Sequence, residues 1–356
     1  MVDISGLEAL AAQRLDPMAL DYFRGGADAE LTVADNVAAW SRLRLRPHVL
    51  RNVATVSTAT SVLGVAVRAP VLVAPTAYHR LAGPEGEAGT AAGAADAGTV
   101  MVLSTFATQT LEEVAAAAPA APRWFQLYVY RDRGFSRDLV ARAVAAGYRA
   151  LVVTVDLPVL GNRTRDVRNA FALPEPMVLA HSPDVLLRHD DAEPSAGSAL
   201  ASHVQAVVDP GLTFDDIAWL RDISGLPVVV KGVLRGDDAA ACVDSGAAAV
   251  VVSNHGGRQL DGVVATADAL AEVVGAVAGG AEVYVDGGIR RGTDVLRALA
   301  LGARAVLVGR PVLYGLAVGG RVGVRDVLTT LTDELATAMA LCGVTGVEAL
   351  DSDLLA

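Results

Sequence analysis

Short apolar runs punctuate the chain at 71–74 (VLVA), 100–103 (VMVL), 124–127 (WFQL), 151–155 (LVVTV), 228–230 (VVV), 249–252 (AVVV), 282–285 (EVYV) and 305–308 (AVLV). Each is followed by a Gly-, Pro- or polar-rich turn and then by a segment whose apolar positions recur every three or four residues. Continuous Val-rich runs of this length predict strands buried on both faces, the habit of parallel sheets. The Ala-rich segments 86–97, 136–146, 236–245, 266–278 and 293–301 predict the covering helices. Strand then helix, eight times over, predicts a closed (β/α)8 TIM barrel of the α/β class. The alternative is a doubly wound open sheet, which wants a glycine fingerprint after its first strand; Pro75-Thr76-Ala77 stands there instead.

Three segments fall outside the repeat. Residues 1–70 predict an N-terminal helical cap, and 322–342 the helical part of a closing segment, 322–356, packed outside the barrel. Residues 174–211, rich in Pro, Gly, Ser and Asp, predict a long lid loop between the fourth strand and its helix, with disorder as the alternative. The expectation is a single domain over 1–356, with the barrel at 71–321.

Composition narrows the picture. Apolar residues make up 53% of the chain and aromatic ones only 4%, so the interior must be built from Ala, Val and Leu, which suits helices on parallel strands. The net charge of −11, without a basic run, argues against nucleic acid and anionic membranes as partners. Cys242 and Cys342 have no metal-binding spacing and read as buried thiols of a soluble, cytoplasmic protein.

Polar residues with chemical potential gather where the predicted strands end. Thr76 follows the first strand, Ser104 the second, Gln126 and Tyr128 the third, and Thr154 and Asp156 the fourth. Lys231 follows the fifth, Ser253, His255 and Arg258 the sixth, Asp286 and Arg290 the seventh, and Gly309 and Arg310 the eighth. That rim hosts the active sites of barrel enzymes. An imidazole at His255 could take a proton near neutral pH, and Arg258 could grip a carboxylate with two parallel hydrogen bonds, a pairing suited to oxidising a 2-hydroxy acid. Taken singly, each has a plainer reading: Gly256-Gly257 as a tight turn, Lys231 as a surface lysine, Gly287-Gly288 as a bend beside a solvated Arg290.

The set as a whole resembles the FMN-dependent 2-hydroxy acid oxidases and dehydrogenases, the family of glycolate oxidase, lactate oxidase, mandelate dehydrogenase and hydroxymandelate oxidase. The matching pieces run in family order: Asp21-Tyr22-Phe23-Arg24-Gly25-Gly26-Ala27, Ala74-Pro75-Thr76-Ala77, Pro84-Glu85-Gly86-Glu87, Gln126-Leu127-Tyr128, Thr154-Val155-Asp156, Leu160-Gly161-Asn162-Arg163, Val230-Lys231-Gly232, Ser253 through Asp261, Asp286 through Arg290, and Gly309-Arg310-Pro311. The resemblance implies that His255 abstracts a proton from the substrate, from its hydroxyl or its α-carbon, while Asp156 orients the imidazole. It implies that Arg258 and Tyr22 hold the carboxylate, and that Tyr128 and Arg163 meet the hydroxyl. For FMN it implies Thr76, Ala77, Ser104, Gln126 and Thr154 along the ring and Lys231 at one ring edge, with Pro75 and Ser253 also among the cofactor-binding residues. Asp286 would hold the ribityl hydroxyls, with Gly288, Arg290, Gly309 and Arg310 at the phosphate and Gly287 also in contact with the cofactor.

Substrate choice rests on positions that vary within such a family. Phe106 stands where glycolate oxidases carry Trp, and with Tyr78 and Leu160 it predicts an apolar pocket for an aromatic acid, mandelate or 4-hydroxymandelate, or for a medium aliphatic one. Ala77 resembles the oxidases, so O2 is the expected acceptor and H2O2 the by-product; a non-O2 acceptor is the alternative, and a non-redox flavin- or phosphate-binding barrel the second alternative. The resemblance also implies a homotetramer or larger homo-oligomer.

Overall fold

The computed structural model describes residues 3–182 and 199–356. Helices α1 (Ile4–Ala12), α2 (Pro17–Arg24) and α3 (Leu31–Arg42) form the cap; Asp3 and Asp16 accept the first free amides of α1 and α2, and Pro17 presets the first turn of α2. The cap is not helical throughout. β1 (Thr60–Val62) and β2 (Val65–Val67) pair antiparallel across Leu63-Gly64. Three-residue strands are too short for their alternation to stand out in sequence.

Eight parallel strands then close a barrel, with the last hydrogen-bonded to the first. They are β3 (Val71–Val73), β4 (Met101–Leu103), β5 (Arg123–Leu127), β6 (Leu151–Thr154), β7 (Val228–Val233), β8 (Ala249–Val252), β9 (Glu282–Val285) and β10 (Ala305–Val308). α4 (Gly86–Ala97), α5 (Leu111–Ala117) and α6 (Arg133–Ala145) follow the first three. After β6 come α7 (Thr164–Arg168), α8 (Ala199–Val207) and the barrel helix α9 (Asp215–Ser224). α10 (Gly236–Asp244), α11 (Thr266–Val277), α12 (Gly292–Ala300) and α13 (Arg310–Leu341) complete the ring.

One expectation needs correcting. The predicted lid is not one loop: α8 occupies its later part, with Leu200 and Val204 buried, and residues 183–198 of the lid lie outside the described residues. α13 joins the eighth barrel helix to an outer one across a break at Gly319-Gly320, so the outer helix starts beside the expected residue 322 and ends at Leu341, and short 3-10 turns follow it. Among the described residues no helix is long and apolar enough to cross a membrane.

The barrel's interior explains where chemistry can sit. Leu72, Val102, Trp124, Val152, Val229, Val251, Tyr284 and Leu307 form one apolar cluster with Val62 and Val67 of the hairpin. Each barrel strand contributes one of these large side chains, and the hairpin seals the amino-terminal mouth against them. A packed plug of this kind leaves no passage through the barrel, so a ligand must enter from the other end.

Candidate active site

Residues i and i+2 of a strand face the same side. Two residues beyond the dry layer, the inward face turns polar: Val102 gives way to Ser104, Trp124 to Gln126, Val152 to Thr154, Val229 to Lys231, Val251 to Ser253 and Tyr284 to Asp286, all buried. This second layer underlies a cavity of about 1010 Å³, counting its open mouth, at the carboxyl end of the strands. Its size is that of a small-molecule or cofactor site.

Lys231 anchors the floor. Its Nζ lies 3.1 Å from Asp286 Oδ2 and donates to Ser253 Oγ at 2.9 Å. Burial works against the ammonium, yet Asp286 and Asp156 together raise its pKa above the ordinary lysine value, so it stays charged. The register of β7 shifts between Lys231 and Val233, and Gly232 there adopts φ +113. A Cβ at Gly232 would come within 2.7 Å of the Asp156 side chain, so the glycine makes room for that carboxylate.

His255 takes a left-handed backbone conformation, φ +57, an uncommon one for a residue with a Cβ. Its amide donates to Ser253 Oγ at 3.1 Å, its Nδ1 meets Asp156 Oδ1 at 2.8 Å, and its Nε2 lies 3.4 Å from the Tyr128 hydroxyl. Ser253 thus holds both Lys231 and His255 in place. Burial pushes the imidazole pKa below its ordinary value of 6.5, with Lys231 and Arg163 adding to the effect and Asp156 opposing it. The Asp156 carboxyl is penalised by burial, but His255 and Lys231 outweigh this and hold it below its ordinary range. The pair therefore rests as neutral imidazole and carboxylate. With Nδ1–H bonded to Asp156, the free lone pair is on Nε2.

Cations face this base. Arg258 donates from Nη1 to the carbonyls of Tyr22 (2.6 Å) and Gly25 (2.9 Å), and its guanidinium stacks 4.7 Å from the Tyr22 ring centre. Arg163 is buried, its Nε donating to the Arg258 carbonyl at 3.3 Å; burial and Arg258 both pull its pKa down. At the far end of the cavity Arg290 and Arg310 are half-buried cations. Burial, then Arg258 and Arg290, draw Arg310 down to about 9. A Cβ on Gly288 would overlap the backbone of Asn36, so only glycine lets this loop pack against α3.

Most of the residues singled out from sequence line this cavity: Tyr22, Pro75, Thr76, Ala77, Ser104, Phe106, Tyr128, Thr154, Leu160, Arg163, Lys231, His255, Arg258, Asp286, Gly287, Gly288, Arg290, Gly309 and Arg310. Asp156 stands behind His255, and Gln126 beneath Ser104, from which its Oε1 accepts a hydrogen bond at 3.1 Å. Two more of these residues lie off the cavity surface. Ser253 is fully buried behind Lys231 and His255, which it braces. Tyr78 is fully buried behind Tyr22 and Phe171, ring centres 5.2 and 5.9 Å away, and forms no part of the wall.

Sequence reading missed other parts. Leu157 and, from α8, Leu200 complete the apolar wall with Phe106, and Phe171 stacks on Tyr22 at 4.3 Å. Isolated Leu and Phe residues in loops carry no sequence signal. His79 bridges Thr76 Oγ1 (2.6 Å) and Thr90 Oγ1 (2.9 Å), with Glu87 accepting its amide. The i+3 spacing from Thr76 to His79 was the available clue.

A flavin mononucleotide fits this donor set. Among the described residues Asp286 Oδ1 and Gln126 Nε2 are buried without partners, as groups awaiting a polar ligand would be, and the half-buried Arg290 and Arg310 want an anion. The family model described as FMN-dependent dehydrogenase matches residues 11–356. The L-lactate oxidase of Nostoc sp. is 51% identical over 99% of this chain and 98% of its own length; 2-hydroxyacid oxidase 1 of Mus musculus is 49% identical over 99% and 96%. Among solved structures, mandelate oxidase with (S)-4-hydroxymandelic acid superposes with a TM-score of 0.94 at 44% identity, covering 98% of this chain and 97% of that one. The chain belongs to the FMN-dependent dehydrogenase family, in its 2-hydroxy acid oxidase branch, and FMN is its cofactor.

Proposed function

We propose that this protein oxidises an (S)-2-hydroxy acid, aromatic or medium aliphatic, to the 2-oxo acid, with O2 reduced to H2O2. One observation carries the reading: the lone pair of a neutral, Asp156-braced His255 faces a cavity that also presents Tyr22, Arg163 and Arg258. The substrate loses two electrons and two protons, and O2 takes up the same number. FMN, when bound, supplies the two-electron acceptor between them.

The chain's own residues do the rest. Arg258, pinned through Nη1, and the Tyr22 hydroxyl grip the carboxylate, which fixes the α-carbon relative to His255. His255 Nε2 takes a proton, and Asp156 stabilises the imidazolium against the nearby Lys231 and Arg163. Tyr128 stays protonated, since burial and Asp156 push its pKa far up, so its hydroxyl can donate to the substrate oxygen. For the cofactor, Thr76, Ala77, Ser104, Gln126, Thr154 and Lys231 would hold the ring. Asp286 would hold the ribityl hydroxyls, and Arg290, Arg310 and the amides of Gly288 and Gly309 would take the phosphate.

The wall of Phe106, Leu157, Leu160 and Leu200 supports an apolar substituent, and a solved mandelate oxidase complex supports an aromatic one. The 51% identity to a lactate oxidase favours a second reading, a lactate-sized acid. Ala77 beside the cavity and the oxidase relatives support O2 over another acceptor. The test is to purify the yellow protein and follow loss of its visible absorbance anaerobically against glycolate, lactate, long-chain and aromatic hydroxy acids. Admitting air should then yield peroxide in proportion to substrate. Bleaching by none of the acids would leave a flavin-binding barrel without this activity; bleaching without peroxide would point to another acceptor.

A further inference from the structure

Arg310 does more than line the cationic, anion-binding end of the cavity. Its three nitrogens donate to three backbone carbonyls on two separate elements: Nε to Phe23 (3.1 Å), Nη2 to Gly25 (2.8 Å) and Nη1 to Gly256 (2.9 Å). Phe23 and Gly25 lie at the carboxyl end of α2, where the last carbonyls have no partner inside the helix. Gly256 directly follows His255. The Gly25 carbonyl is shared, because Arg258 Nη1 also donates to it at 2.9 Å. One helix end is thus held by both arginines, and that helix carries Tyr22.

The physics makes α2 dependent on them. A helix of eight residues is not stable alone, and cations at its carboxyl end satisfy the orphan carbonyls and complement the helix dipole. A guanidinium has five N–H donors, so the three bonds above leave Arg310 two for an anion in the cavity. Arg290 lines the same cavity but its Nη1 donates to the carbonyl of its own neighbour, Ile289, at 2.9 Å. Both arginines can meet a phosphate. Of the two, Arg310 is the one that donates hydrogen bonds to the cap among the described residues.

We infer that Arg310 is a positioning residue for the substrate clamp: by bracing the end of α2 and the loop after His255, it sets Tyr22 and Arg258 where the carboxylate is held. This rests on the proposed function for what occupies each end, but the bracing itself does not. The test compares Arg310→Lys and Arg310→Gln with Arg290→Lys, each as the FMN-saturated holoenzyme. A lysine has the charge but cannot span three carbonyls.

Both Arg310 variants should raise KM for the hydroxy acid at least tenfold, with a smaller change in kcat. They should also speed amide hydrogen exchange across residues 20–28. Arg290→Lys should weaken FMN retention, raise KM less than either Arg310 variant does, and leave exchange across residues 20–28 slower than in both. The inference is overturned if Arg310→Lys and Arg310→Gln lower FMN affinity alone, or if Arg290→Lys moves KM and exchange as far as they do. Should the wild-type enzyme turn over no hydroxy acid, the functional reading fails, while faster exchange in the Arg310 variants alone would still establish the brace.

Discussion

Two layers inside the barrel differ by two residues along the same strands, roughly 7 Å at the rise of a parallel strand. The lower layer, Val102, Trp124, Val152, Val229, Val251 and Tyr284, is dry and plugged by Val62 and Val67. The upper layer, Ser104, Gln126, Thr154, Lys231, Ser253 and Asp286, is buried as deeply yet carries a charged pair and unsatisfied donors and acceptors. The comparison teaches that stability and chemistry are separated along the barrel axis by strand periodicity alone. The dry layer fixes the strands; the polar layer is held ready on top of it, at a cost in desolvation that a bound ligand relieves.

Mutations should break that division in predictable order. His255→Ala should lower turnover by about 10²- to 10⁴-fold, the range for losing a general base, while thermal unfolding of the holoenzyme stays near wild type; turnover within a fewfold of wild type would remove His255 from the chemistry. Trp124→Ala, one layer down, should do the reverse. Emptying that site should cost about 3–5 kcal/mol of stability by denaturant titration and leave KM of the folded enzyme unchanged. A shifted KM would show the layers to be coupled.

Arg258→Lys should weaken binding of the acid by about 10- to 100-fold, as expected for losing a charged hydrogen-bonding fork, and unchanged KM and kcat would contradict the clamp. The smallest effect is in the pH profile. His255 must be neutral to act, and burial places its pKa below 6.5, so kcat/KM should hold down to that pH and fall only below it. Asp156 raises that pKa, so Asp156→Asn should move the acid limb lower still while reducing the plateau. A limb that moves up would reverse the assigned roles.

Much of this was legible in the sequence because period-two and period-three-to-four patterns are local. Runs such as Val228-Val229-Val230 declare a buried strand, and the polar residue after each declares the rim. What escaped depended on contacts distant in sequence. The hairpin at 60–67 gains its purpose from Trp124 and Tyr284, and Leu200 enters the pocket wall only because α8 folds back over the strand ends. Tyr78 and Ser253 lie one layer behind the cavity surface, because adjacency to Ala77 and His255 in the chain says nothing of which way a loop side chain turns. Arg310 was legible as an anion ligand, whereas its three backbone acceptors, carbonyls of residues 23, 25 and 256, were not.

The most direct measurement is a crystal structure of the yellow protein soaked with a 2-oxo acid product. The account predicts FMN phosphate on Arg290 and Arg310, the acid's carboxylate on Arg258 and Tyr22, and His255 Nε2 within hydrogen-bond reach of the 2-oxygen. A product bound elsewhere, or held here with His255 Nε2 out of reach of that oxygen, would contradict it.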